Sequence, residues 1–446
     1  MSTTDRTSTP RLTDEQALHL YRAASLHELG RRAAARTAEL HPEPYRTYVV
    51  DRNINYANVC TARCLFCNFS RQPGDDAAYV LSFVEIGRKI EELLAIGGTQ
   101  ILMQGGLVPG EDHPSGQGRP FSWYLELLRF VKTHYPTIHI HAFSPPEIWA
   151  FHRMFDIPLA DVLRRLQDAG LDTIPGGGGE ILVDRVRRKI GRGKAMTDEW
   201  LGVMRAAHQI GMKTSCTMMF GHIETIPERI EHLRRLRDLQ DETGGFTAFI
   251  HWPFQPEGTP LGRWSQAPAA DTEVGRCEGS RESVGDRRRP RGADATKTAG
   301  TETGRYEVAD RNDAPGVPLL LSSADSSDSA ALAATLRPEP DGERLFLADA
   351  DAYLRLLAVA RLYLDNIPNI QSSWVTMGPK IGQLALLFGA NDMGSVMMEE
   401  NVVSSAGTTF RLNEEQIRRL ITDAGWTPRR RDQYYRPLDD PPTASG

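Results

Sequence analysis

Cys60, Cys64 and Cys67 lie close together in Asn58-Val-Cys-Thr-Ala-Arg-Cys-Leu-Phe-Cys67. A C-x3-C-x2-C loop can wrap three thiolates around three corners of a cubane 4Fe-4S cluster and leave the fourth iron without a protein ligand. An open iron is a place where a small molecule can bind and react. A structural zinc site takes four Cys or His ligands, usually as spaced pairs, and the next histidine along the chain is the distant His113. A disulfide framework wants an even number of cysteines in a short secreted chain, whereas here there are 5 in 446 residues and no apolar leader. Cys216, inside an apolar run, reads as a small buried hydrophobe, and Cys277 reads as incidental. Thiolate ligands are oxidation-sensitive and imply a reducing, cytoplasmic setting.

Such a loop must be held by ordered elements, and the chain supplies them in alternation. Ser82-Phe-Val-Glu85 is a capping box; Phe83, Ile86, Ile90, Leu93 and Leu94 follow at helical spacing, and Gly97-Gly98 stops the helix before a strand over residues 99–104. The couplet repeats: helix 123–131 and strand 138–143, 159–166 and 171–174, 200–210 and 213–220, 229–239 and 246–252, 353–364 and 370–375, 381–388 and 392–398. With residues 53–59 as the first strand this makes about eight couplets, the count of a closed α/β (βα)8 TIM-type barrel; a barrel opened after six is the rival.

The expected organisation is an N-terminal tail and helix over 1–40, the first part of the barrel over 41–264, an insertion over 265–345, the C-terminal part of the barrel over 346–430 and a tail over 431–446. The insertion follows the sixth strand, has Tyr306 as its only aromatic residue and contains no Ile, Met, Phe or Trp. Too little apolar surface is there to offset ordering entropy, so it is expected to be disordered. Its arginine cluster, Gly285-Asp-Arg-Arg-Arg-Pro-Arg-Gly292, reads as solvated, with docking of an electron donor as the alternative. A formal charge of -6 argues against nucleic-acid binding, and no run of 18 apolar residues would insert in a membrane.

In a parallel barrel the reactive face lies at the C-terminal strand ends, and the cysteine loop follows the first strand. Gln104-Gly105-Gly106 ends the second, where missing side chains let a ligand approach the backbone; an ordinary tight turn is the other reading. Ser144 and Glu147 follow the third strand, with Ser144 either at the ligand or capping the next helix. Pro175-Gly-Gly-Gly-Gly-Glu180 closes the fourth; so entropically costly a run suits close backbone approach to a bulky ligand. Arg185 would hold a carboxylate or form an ion pair on the helix surface. Glu224, His251, Gln255, Ser372 and Ser373, near later strand ends, are candidates for sugar hydroxyls or proton relay, His251 equally for a satisfied core position.

With Phe66 before its third cysteine, the loop resembles that of the radical S-adenosylmethionine enzymes. The resemblance implies that S-adenosylmethionine chelates the open iron and that an external one-electron reductant, of flavodoxin or ferredoxin type, drives its cleavage to a 5′-deoxyadenosyl radical. Ile101-Leu-Met-Gln-Gly-Gly106, Phe143-Ser-Pro-Pro-Glu-Ile148, Pro175-Gly-Gly-Gly-Gly-Glu-Ile181, Asp241-Glu-Thr-Gly-Gly-Phe-Thr-Ala-Phe249 and Ser373-Trp-Val-Thr-Met-Gly-Pro-Lys380 look like the cyclic dehypoxanthinyl futalosine synthase family of menaquinone biosynthesis, over residues 40–264 and 346–430. Aminofutalosine synthase and the tyrosine-using subunit of deazaflavin (FO) synthase share the cysteine loop and the Gln-Gly-Gly turn; the four-glycine run and Asn369-Ile-Gln-Ser-Ser-Trp-Val375 favour the cyclase.

What the resemblance implies is a small-molecule substrate, dehypoxanthine futalosine, whose ribose C4′ loses hydrogen and adds to its own benzoate ring. Cys60, Cys64 and Cys67 would hold the cluster. Gln104, Gly105, Gly106, Ser144, Glu147, Glu180 and Arg185 would surround S-adenosylmethionine, with Glu180 at its ribose hydroxyls and Arg185 at its carboxylate or the substrate's. No residue is assigned as terminal base. Gly179, His222-Ile223 and His251 depart from the family pattern at strand ends without touching the cysteines. An iron-sulfur electron-transfer protein, the non-enzyme alternative, would need a fourth cysteine near the loop.

Overall fold

The computed structural model describes residues 11–266, 340–399 and 401–438. Its strands are β1 (Tyr45–Val49), β2 (Asp51–Asn55), β3 (Arg63–Cys64), β4 (Gln100–Gln104), β5 (His139–Ala142), β6 (Thr173–Ile174), β7 (Gly191–Arg192), β8 (Lys213–Phe220), β9 (Phe246–Pro253), β10 (Asn369–Gln371), β11 (Asp392–Ser395) and β12 (Thr427–Arg430). Parallel pairing runs from β2 through β4, β5, β6, β8, β9, β10 and β11 to β1. Only Val50 separates β1 from β2, so the pairing returns to its starting strand, and the barrel is the (βα)8 type rather than one opened after six couplets. β12 adds to β1 in parallel.

Helices follow the strands as the periodicity predicts. Phe83–Ala95 carries the expected capping box, with Ser82 Oγ accepting from Glu85 N and Glu85 Oε2 accepting from Ser82 N at 2.8 Å. Gly97 then adopts φ +73°, a conformation that costs glycine nothing. Two N-terminal helices, Asp14–Ala23 and Leu26–Leu40, stand where one is expected, and they pack on Ile226–Thr243 and Ala350–Tyr363. Among the described residues no helix is long and apolar enough to cross a membrane.

Three expectations need correction. The first strand occupies residues 45–55, not 53–59, because its inward positions Asp51, Asn53 and Asn55 are polar and hide its register from a hydrophobic pattern. The strand expected over 370–375 ends at Gln371, and Trp374–Met377 is a helical turn. Residues 431–438, assigned to the tail that follows the barrel, fold against it instead: buried Arg431 forks onto Asp392, through Nε to Oδ2 at 2.6 Å and Nη2 to Oδ1 at 3.0 Å, and stacks on Tyr435. Of the insertion, residues 267–339, with Cys277 and the arginine cluster, lie outside the described residues, as does nearly all of the N-terminal tail. The described chain leaves after β9 and returns ahead of Ala350–Tyr363.

Candidate active site

A cavity of about 390 Å³ opens at the C-terminal strand ends and runs down the barrel lumen. Its upper wall carries Cys60, Cys64 and Cys67, with Gln104, Gly105, Gly106, Ser144, Glu147 and Glu180 around them. The cysteine loop is tied down on one side, where β3 pairs antiparallel with β7 and Leu65 N donates to Ile190 O at 2.8 Å.

The thiols suit a multi-iron cluster. Cys60, Cys64 and Cys67 face one cavity, as corner ligands of a cubane must. Leu107 N donates to Cys60 Sγ at 3.2 Å. Burial raises the Cys60 thiol and pushes Cys64 up to about 12. Loading a cluster therefore expels protons from these thiols.

Glu147 is a strut. Fully buried, it accepts from Tyr56 OH (2.7 Å), Gly105 N (3.0 Å), Ser144 N (2.8 Å) and Ser144 Oγ (2.6 Å), which locks together the ends of β2, β4 and β5. Burial raises its pKa, offset in part by those donors. Ser144 is also the N-cap residue of Pro145–Met154. Gly106 N is spent on Ala57 O at 2.9 Å and Gly105 N on Glu147, so ligand contacts at this turn fall to its carbonyls and the Gln104 amide.

The glycine run before Glu180 is explained largely by the protein itself. A Cβ on Gly177 would overlap the Gln104 amide, one on Gly178 the ring of Pro146, and one on Gly179 the Thr217 carbonyl. Buried Arg187 staples this loop, donating to Gly179 O at 2.9 Å and Gly178 O at 3.1 Å. Glu180, at φ +28°, accepts from Lys194 Nζ at 3.0 Å and lies 3.7 Å from Arg187. Burial alone would lower the Lys194 pKa, but Glu180 and Cys64 outweigh it and raise it. Arg187 and Lys194 escape the sequence reading because they reach the site from the segment that follows its motif.

Arg185 is not a cavity residue. It forks onto Glu228 at 2.6 Å and donates to Gly342 O and Ile223 O, so its donors are consumed outside the barrel mouth. Glu224 is likewise held elsewhere, by buried Arg229 and His222. His251 is a core residue, stacked 4.6 Å from Tyr353, and burial lowers it to about 4. Gln255, Ser372 and Ser373 do line the cavity. Cys216 is buried, its Sγ against Ala248 O.

A closed parallel barrel with three thiols at its catalytic mouth defines a cluster-bearing α/β-barrel enzyme. The radical SAM superfamily model matches residues 54–236, and the CofH/MqnC C-terminal region matches residues 345–444. A cyclic dehypoxanthine futalosine synthase of Halalkalibacterium halodurans is 36% identical, over 95% of this chain and 91% of that protein. An aminodeoxyfutalosine synthase of Thermus thermophilus is 34% identical, over 96% and 92%. Methylornithine synthase superposes with a TM-score of 0.57 at 16% identity, over 94% of each chain, which shows the fold. The chain belongs to the radical SAM superfamily, in the group that carries the CofH/MqnC C-terminal region, and it is a radical SAM enzyme. That family implies a 4Fe-4S cluster and S-adenosylmethionine, a small-molecule substrate and a reductant.

Proposed function

We propose that the protein cyclises dehypoxanthine futalosine in the futalosine route to menaquinone. The observation that carries this reading is that the three thiols share one cavity with the polar side chains of Asp51, Asn53, Asn55 and Gln100; the extended similarity to a named cyclase supports it. When bound, the cluster and S-adenosylmethionine supply a 5′-deoxyadenosyl radical, which takes the C4′ hydrogen of the substrate ribose. The ribose carbon then forms a C–C bond to the benzoate ring of the same molecule, and aromaticity returns as the ring loses a proton to solvent and one electron to the oxidised cluster.

Cys60, Cys64 and Cys67 would hold three irons of the cluster. The Gln104 side-chain oxygen and the carbonyls of Gly105 and Gly106 would receive the amino group of the methionine moiety, and Glu180, oriented by Lys194, would accept from the cofactor's ribose hydroxyls. Ser144 and Glu147 keep the strand ends in register around it. Because both reacting groups belong to one substrate, the barrel contributes mainly by holding them together and by excluding water. A flavodoxin- or ferredoxin-type protein supplies the initiating electron, in the reducing cytoplasm that thiolate ligands require.

Anaerobic reconstitution with iron and sulfide, followed by reduction with S-adenosylmethionine and dehypoxanthine futalosine, tests the reading by mass analysis. Free 5′-deoxyadenosine with a product lighter by two hydrogens is expected. An adduct between the adenosyl group and an acceptor would instead favour the chemistry of an aminodeoxyfutalosine synthase, the name carried by a relative of nearly equal identity.

A further inference from the structure

The lumen beneath the thiols departs from an ordinary barrel core. Inward positions of parallel barrels are filled in layers, mainly by branched apolar side chains. Here β2 turns Asp51, Asn53 and Asn55 to the cavity, and β4 sets Gln100 beside them. Asn53 and Gln100 are 5% and 2% exposed, yet Asn53 Oδ1 and Gln100 Oε1 have no hydrogen-bond partner. Among the described residues, these are the two unpartnered buried side-chain atoms whose residues line the cavity.

Neighbouring groups fix the character of this floor. Gln100 Nε2 donates to Gln433 Oε1 at 2.6 Å and to Asp51 Oδ2 at 3.3 Å. A carboxylate only accepts, so the amide's oxygen is left facing away from these partners. Ser395 Oγ donates to Asp51 Oδ1, while the guanidinium of Arg431 is forked onto Asp392. Two carboxyl groups against one guanidinium, with two unmet carbonyl oxygens, make a surface that disfavours an anion and offers free acceptors.

We propose that this floor is a subsite for the hydroxyl groups of a sugar ring, with Asn53 and Gln100 accepting from them and selecting the ligand. Resting on the cyclase reading, the assignment sets the substrate's orientation: the hydroxyls of its ribose, which carries no purine, point to the floor, and C4′ and the anionic benzoate stay toward the thiols. Asn53 and Gln100 are binding and specificity residues, distinct from the cluster ligands.

Calorimetric titration of the full chain with dehypoxanthine futalosine, and with analogues each lacking one ribose hydroxyl, tests the assignment. Asn53→Leu is expected to weaken the parent ligand about tenfold, the size of one buried hydrogen bond. One deoxy analogue should bind the parent protein about tenfold more weakly and the variant no worse than the full substrate does, a pattern that general damage would not produce. Asn53→Ser takes its place should Asn53→Leu misfold. Affinities within twofold for parent and variant would mean that water meets these atoms, and would overturn the subsite while leaving the cyclase reading intact. If the parent protein does not bind dehypoxanthine futalosine, the substrate assignment fails and methyl ribofuranoside decides the subsite. A saturation-transfer signal lost in Asn53→Leu upholds it; the same signal in both proteins, or in neither, overturns it.

Discussion

Two buried polar clusters in this protein look alike by composition and differ in what they leave open. Behind the barrel, Glu224 accepts from Gly221 N, His222 N and Arg229, and Arg229 also donates to Tyr21 OH at 2.6 Å. Each of these groups is answered by protein. In the lumen, Arg431 is met by Asp392 and Asp51 by Ser395 and Gln100, but Asn53 Oδ1 and Gln100 Oε1 beside them are unmet. A closed network fixes the fold; an open one beside a cavity is built for something else. Glu224, a site candidate by position in the sequence, falls on the structural side of that divide.

Substitutions on the two sides should therefore fail in different ways. On the cavity side, Cys64→Ala should abolish 5′-deoxyadenosine formation by the reconstituted protein, read by chromatography, while the melting temperature of the metal-free chain holds; cleavage at the parent rate would contradict the ligand assignment. On the closed side, Glu224→Ala leaves Arg229 buried without its counter-charge and should cost about 3 to 5 kcal/mol in chemical denaturation. Protein that remains folded should still cleave S-adenosylmethionine. A variant as stable as the parent would show that the cluster behind the barrel is not a structural pair.

Acid should act on buried histidines away from the cavity too. Burial lowers His251 and His208 to about 4 and His232 to about 3, whereas an unfolded imidazole titrates near 6.5. The unfolded chain thus binds more protons between those values, and stability rises with pH across that window. It is fully present above about pH 6.5 and is lost progressively as pH falls toward the folded values. Melting temperatures measured from pH 7.5 down to 4 should decline throughout, and a flat profile would refute the neutral, buried state of these rings. The smallest effect belongs to Arg185→Met. Its half-exposed pair with Glu228 is worth on the order of 1 kcal/mol, and cofactor cleavage should be unchanged; a large catalytic loss would return Arg185 to the site.

Much of this arrangement is legible in the chain. Ser82 and Glu85 mark a helix start that the structure reproduces, because capping chemistry is local. The cysteine spacing and the Gln104-Gly105-Gly106 turn lie on the cavity wall for the same reason. Nonlocal contacts are not visible in this way. Arg187 and Lys194 serve Glu180 from a segment without a motif, and Arg431 reaches Asp392 from what reads as a tail. The polar alternation Asp51, Asn53, Asn55 was the available signal for a hollow lumen. Hydrophobic periodicity alone places the first strand too late because it assumes a filled barrel.

The central claim is that three thiolates leave one iron of a cubane open to S-adenosylmethionine. Electron paramagnetic resonance of the reduced, reconstituted protein, with the cofactor carrying nitrogen-15 in its methionine amino group, tests this directly. Hyperfine coupling between that nitrogen and the cluster is the predicted result. A reduced cluster whose spectrum shows no such coupling at saturating cofactor would contradict it.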